Sequence, residues 1–308
     1  TLELTSAGSL QIDGQLAANQ AITLAADGGT LAVGSAARLQ TLNALTAVAR
    51  DAIDHQGIIE TLGDVQLTAN RISSRHLLTD GALRLAATSD IAILGENSAQ
   101  GSVDLSSTGG GIAIAADAGV RSAADHISLT AGQGLDNAGE IVGQAGVTVT
   151  AATQVDNHGL IAAPDGLLQL SALRLALGGT VFARELDGRS GSDLIVSGTL
   201  ETLGELSLAG GDLAVLDGAA IRSAAALSLD AAQASIDGML NAATTLDLSA
   251  DGIRLGSAGE IGAGGRLSLI ANNALESAGR IITGDALILR GARLQLAGSS
   301  TAAGQATL

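Results

Sequence analysis

The string Leu135-Asp-Asn-Ala-Gly-Glu-Ile141 returns as Val155-Asp-Asn-His-Gly-Leu-Ile161, Leu255-Gly-Ser-Ala-Gly-Glu-Ile261 and Leu275-Glu-Ser-Ala-Gly-Arg-Ile281, with starts 20 residues apart or a multiple of 20. A fixed period of this size marks one supersecondary unit stacked many times, each copy burying an apolar face it could not bury alone. The reading is therefore a single repeat segment over residues 1–308, part of a longer chain, rather than a set of globular domains.

Around this string the pattern is strand-like. An apolar-x-apolar triplet opens each unit, as in Val65-Gln-Leu67, Leu83-Arg-Leu85, Val103-Asp-Leu105 and Ile127-Ser-Leu129. A second triplet follows about eight residues on, as in Leu10-Gln-Ile12, Leu31-Ala-Val33, Ile91-Ala-Ile93 and Ile112-Ala-Ile114. Single apolar residues mark a third strand: Leu16, Leu39, Ile58, Val120, Ile141 and Ile161 early in the chain. Alternation of this kind buries one face of a strand, and no helical period competes with it. Two units are degenerate, with first strands near Leu45 and Leu186, and Ala306-Thr-Leu308 begins one more.

Three short strands per turn predict an all-β parallel β-helix of about 15 rungs, each of about 20 residues. At the usual interstrand spacing that is a rod about 70 Å long.

Composition agrees. Hydrophobic content of 46% comes from Ala, Leu, Ile and Val, with one Phe, one Met and no Trp or Tyr, so the interior is narrow and regular. Phe182 and Met239 read as core fillers at third-strand positions. The 42 glycines against one proline suggest many tight turns with positive φ. Asp13-Gly14, Asp136-Asn137, Asp156-Asn157, Asp217-Gly218 and Asp237-Gly238 supply corner chemistry after the second strand. Gly139, Gly159, Gly259 and Gly279 read as turn residues, and Asn137 and Asn157 as a short side-chain ladder.

The register is broken at three places. Ile22 to Leu45 spans 23 residues, and Val103 to Ile127 spans 24, around Ser106-Ser-Thr-Gly-Gly-Gly111. The third is Arg184-Glu-Leu-Asp-Gly-Arg-Ser-Gly-Ser-Asp193, where the first strand nearly vanishes. A loop bulging from a rigid scaffold is where a solenoid would carry recognition, which makes Glu185, Asp187, Arg189 and Asp193 the candidate recognition residues.

The net charge of −16 argues against nucleic acid and anionic membranes as partners. Without cysteine there are no disulfides, thiolate metal sites or cysteine nucleophiles. His55, His76, His126 and His158 lie in different rungs without metal-ligand spacing and read as solvated. Asp125, His126 and Ser128 have a triad's composition, but neighbours on a strand face opposite ways. Asp13, Asp54, Asp136, Asp156, Asp217 and Asp237 form a possible carboxylate column. It is the nearest thing to a catalytic or calcium-binding set, although Asp is favoured at such corners for turn geometry alone. No cofactor and no metal site is expected.

The pattern Leu-x-Asn/Ser-x-Gly-x-Ile, then a small residue, Gly and Leu-x-Leu-x-Ala, resembles the repeats of filamentous haemagglutinin-type exoproteins of bacterial two-partner secretion. The clearest copies are Leu135 to Ala151 and, with one extra residue, Val155 to Ala172; looser ones cover nearly the whole chain. The resemblance implies a right-handed parallel β-helix, secreted to the bacterial cell surface. It also implies a role in virulence and cell adhesion, as a non-catalytic shaft that attaches to a surface or presents a distal domain. The implied partners are an outer-membrane transporter, engaged through a domain outside this segment, and a receptor on a host or neighbouring cell. Arg-Gly-Asp is absent, and Asp187-Gly-Arg189 is only its reversal. The alternative function is a β-helix polysaccharide lyase or hydrolase using the corner aspartates. Within the string itself, Asp136, Asn137 and Glu140 are the positions left for a partner.

Overall fold

The computed structural model describes residues 1–307; Leu308, and with it the end of the expected Ala306–Leu308 strand, lies outside the described residues. The described chain is all β, with parallel strands wound into stacked coils, a β-solenoid of about 15 turns. No helix is long and apolar enough to cross a membrane among these residues. The chain divides into two compact units, Thr1–Thr153 with His158–Pro164, and Gln154–Asn157 with the residues from Asp165 onward.

In the first unit the opening strands align residue for residue. Leu2 pairs with Ile22, Ile22 with Leu45, Leu45 with Val65 and Val65 with Leu83. Because side chains alternate, this register puts the two apolar residues of each triplet in columns inside and the middle residue outside. Ile22–Ala26 shows it: Ile22, Leu24 and Ala26 are buried while Thr23 and Ala25 are half-exposed. The second unit repeats the plan, with Leu206, Leu227, Leu246, Leu267 and Leu287 as one inward column. Each fully buried Leu or Ile contributes about 1.5–3 kcal/mol relative to exposure, so a run of such columns supplies the driving force that the absent aromatics would supply elsewhere.

Both degenerate rungs keep this register. Leu45–Ala49 carries Ala47 where its neighbours carry Leu24 and Leu67. The stretch expected to loop out at 184–193 instead runs as strands Thr180–Ser190 and Asp193–Val196. Leu186 pairs with Leu206 and Gly188 with Leu208. A Cβ on Gly188 would strike Leu208 Cδ2, so the neighbouring leucine fills the space a second apolar residue would take. The eye loses the strand because one member of its triplet is glycine.

One strand is displaced from the expected placement. Leu39 pairs with Ile59, which is 2% exposed, and Arg38 with Ile58, so Ile59 and not Ile58 is the inward marker. Phe182 and Met239 also point outward, half-buried, between inward Val181 and Ala183 and beside inward Leu240.

The extra residues of the long rungs sit at corners. Four-residue turns close by Ala37 N donating to Gly34 O, Ala118 N to Ala115 O, Ala219 N to Leu216 O and Gly259 N to Gly256 O, at 2.9, 2.9, 3.0 and 3.0 Å. Only part of the excess between Val103 and Ile127 therefore falls in the glycine run at 109–111; the rest is in the turn at 115–118 and the corner before His126.

The next coil meets each turn with a glycine. Gly57, Gly139, Gly238 and Gly279 each lie against the first and last carbonyl oxygens of the turn below, where a Cβ would collide with both. Among the described residues, only Gly146 (157°) and Gly218 (80°) have positive φ. The expectation that the glycines serve left-handed turns is thus overturned: most are needed for room between coils, and Gly218, third residue of its turn, is where φ itself demands glycine.

Candidate functional site

Side chains at the end of the third strand and at the corner after it form an open groove of about 600 Å³ in the first unit. Five successive coils contribute to it. Its floor is Ala18, Thr41, Thr61, Thr79 and Ala99, small residues whose side chains turn inward. Their hydroxyls are spent on the fold: Thr61 Oγ1 donates to Gly63 O at 2.6 Å, and Thr41 Oγ1 to Gln20 O. One wall holds Gln40, Glu60 and Leu78, which are register partners in that order; the other holds Leu42, Leu62 and Asp80.

Leu42, Leu62 and Leu78 are 61%, 56% and 44% exposed. Other large apolar side chains are exposed elsewhere, Leu173 and Leu203 among them, but here three leucines gather around one groove, the kind of feature that marks binding. Glu60 is held by Arg38, whose Nη2 lies 2.9 and 2.7 Å from its carboxylate oxygens, and by Gln40 Nε2 at 2.7 Å. These hydrogen bonds, Arg38 first and Gln40 second, hold its carboxyl below the usual value. Asp80 carries a carboxylate with no such partner among the described residues.

The sequence reading did not find this groove. Its signal is faint: the motif is no more than Gln40-Thr-Leu42, Glu60-Thr-Leu62 and Leu78-Thr-Asp80, a leucine next to a small inward threonine, after it in the first two and before it in the third.

The expected sites fall differently. Asp187 and Arg189 pair on the outside of their strand, with Nη2 to Oδ2 at 3.1 Å, while Glu185 and Asp193 join neither and are exposed. These four residues lie on strands rather than on a bulging loop. The carboxylate column dissolves. Asp54, Asp136 and Asp156 are outward strand residues, Asp13 and Asp237 stand one residue after the second strand, and Asp217 is inside a turn. Among the described residues no three His, Asp or Glu are grouped as a metal site.

Asn137 and Asn157 are wholly buried, each at the inward end of a second strand. Asn137 Nδ2 donates to Leu160 O at 3.1 Å and Asn157 Nδ2 to Thr180 O at 3.5 Å, tying each to a backbone carbonyl farther along the chain. Asn137 is therefore not open to a partner. Glu140 is engaged by Arg121, which also reaches Glu96 at 2.9 Å. Gly159 stacks against Gly139 O, and Gly259, which closes its own turn, lies against the Ile236 carbonyl, so the repeated glycine stands at a corner and also meets a packing need there.

The histidines are not all solvated. His76 and His158 are exposed, but His55 is fully buried in the column that holds Val33 one coil away. His55 Nδ1 lies 3.1 Å from Ser74 Oγ, which donates to Asn97 Oδ1 at 2.5 Å; Asn97 Nδ2 donates to Gly95 O at 3.2 Å. Because the single Ser74 proton goes to Asn97, Nδ1 of His55 carries its own proton, and Nε2 is left as a bare acceptor without a partner. Burial, then the charge of His76, lowers the imidazole to about 4, against smaller opposing pulls from the Gly57 backbone and Asp54. Serine, histidine and amide here make an internal brace closed to any substrate.

Comparison with protein-family models, with curated proteins and with solved structures finds no match.

Proposed function

We propose that the chain is a non-catalytic, adhesive shaft segment of a large secreted bacterial surface exoprotein of the filamentous haemagglutinin kind. The observation that carries this reading is the coil itself: aliphatic columns with few buried polar groups among them, and, among the described residues, no group of three His, Asp or Glu placed to hold a metal ion. Such a structure holds things apart and offers long polar faces, and each coil needs only its neighbours to be stable. Support for the family comes from the Leu-x-Asn/Ser-x-Gly-x-Ile repeat, whose glycine answers to a packing need between coils. In this reading a transporter engages a domain outside the segment, and the third-face groove or the outward 184–193 strands meet a receptor on another cell.

Two measurements test it. Antibody to this segment is expected to label unpermeabilised cells of the source bacterium; signal confined to lysed cells would overturn the surface role. The alternative, a polysaccharide lyase or hydrolase, is checked by incubating the protein with pectate, alginate and glycosaminoglycans in the presence of Ca²⁺. No depolymerisation is expected, and turnover abolished by Asp136→Asn with Asp156→Asn would replace the shaft with an enzyme.

A further inference from the structure

We propose that the third-face groove of the first unit docks an extended segment of another protein in which apolar anchors alternate with basic side chains. The inference goes beyond the shaft reading and does not require it. The groove joins an apolar centre, Leu42, Leu62 and Leu78, to the unpartnered carboxylate of Asp80, with Gln40 and Gln100 as further hydrogen-bonding groups and no cation in its lining. The partner's chemistry is the complement: apolar side chains for the centre and a cation for Asp80. Glu60, its charge offset by Arg38 and one oxygen also taken by Gln40 Nε2, adds shape and not net attraction.

Three observations define the mode. Five coils at about 4.8 Å give a groove about 19 Å long, room for about six residues of extended chain. The corner amides are spent: Leu42, Leu62, Asp80 and Gln100 N donate to Ala18, Thr41, Thr61 and Thr79 O at 3.3, 3.2, 3.1 and 2.9 Å. The occupant is therefore held by its side chains and not by strand addition. The chain has one Phe and no Trp or Tyr, so the groove lacks the aromatic platforms that favour a sugar, while leucines favour a peptide.

The test uses the whole chain and a fluorescein-labelled octapeptide alternating leucine and arginine, with serine-arginine and leucine-glutamate octapeptides and cellohexaose as comparators. The leucine-arginine peptide is expected to bind one to one, about tenfold more weakly to Leu62→Ser, where a central anchor is lost. Asp80→Asn is expected to weaken it about threefold, and Asp247→Asn in the second unit to leave it unchanged. Leu42→Ser serves as an independent exposed variant and is expected to match Leu62→Ser. Equal binding of the serine-arginine peptide, equal loss with Asp247→Asn, or indifference to both leucine variants would reduce the effect to bulk charge and overturn the proposal. Displacement of the peptide by cellohexaose would reassign the groove to a glycan.

Discussion

The coils around Ala52–Thr61 in the first unit and those around Leu246–Leu255 in the second are built on the same plan and filled differently. In the second, Leu246, Leu248, Ile253 and Leu255 are all inward, with Leu227, Leu229, Ala234 and Ile236 on one side and Leu267, Leu269, Leu275 and Ser277 on the other. In the first, His55, Ser74 and Asn97 occupy three successive coils where aliphatic side chains would otherwise stand, and each is fully buried. A parallel coil thus accepts polar groups inside when a group one coil away supplies the partner: stacking in register sets Ser74 on His55, and Asn97, on the third strand of the next coil, accepts from Ser74. The cost is that such a coil depends on all members of the chain of bonds at once.

The largest effect that separates the two regions is loss of packing. Leu248→Ala removes a side chain that is 1% exposed, and it is expected to lower the stability of the second unit by about 2–5 kcal/mol, read from urea unfolding and hydrogen exchange at Ile253. Next is pH. His55 titrates at about 4 in the fold against 6.5 when free, so the contribution is fully present above 6.5 and is lost as pH falls towards 4. The loss is about 3 kcal/mol by that point. The protection factor of the Ile53 amide, its exchange taken relative to the intrinsic rate at each pH, is expected to fall over that window while that of Ile253 does not follow it, and His55→Leu is expected to remove the dependence. A similar fall in both units would refute the assignment to His55.

A smaller effect tests the brace as a unit. Asn97→Ala is expected to cost about 1–3 kcal/mol, because the Ser74 hydroxyl loses its acceptor in a dry interior. Replacing the set together, His55→Leu with Ser74→Val and Asn97→Leu, is expected to leave stability unchanged or raised, since no polar group is then orphaned. Smallest are the outward ion pairs of the two regions. Arg38→Ala, which frees Glu60, and Arg266→Ala, which frees Asp247, are each expected to change stability by less than about 1 kcal/mol. A large loss from either would mean the faces, and not the columns, hold the coils.

Period and alternation made the fold legible, because an inward column requires an apolar residue at every second position and the strands pair in register. Leu2, Ile22, Val65 and Leu83 were readable as stacked for that reason. Where a column takes a small residue the reading failed: Gly188 hid a strand whose core space is filled from Leu208. Where two apolar residues adjoin, as at Ile58-Ile59, alternation leaves the face undecided by one residue, and pairing with Leu39 decides it. The glycines misled because sequence shows that a side chain is missing but not whether a backbone angle or a carbonyl of the next coil excludes it. The brace and the groove were invisible for a related reason. His55, Ser74 and Asn97 meet across spacings of 19 and 23 residues, and the groove residues Leu42, Leu62 and Leu78 across 20 and 16, so no local motif marks either.

The central claim is parallel stacking in this register, and a chain without cysteine allows it to be tested by disulfide closure. Ser207 and Ser228 are exposed register partners, whereas Ser207 and Asp230 are offset by two residues. Cα atoms about 4.8 Å apart in adjacent strands can be bridged, and those beyond about 7 Å cannot. Under mild oxidation, Ser207→Cys with Ser228→Cys is expected to close into an intramolecular disulfide, and Ser207→Cys with Asp230→Cys to stay reduced. Equal closure of both pairs, or closure of the offset pair alone, would contradict the coil described here.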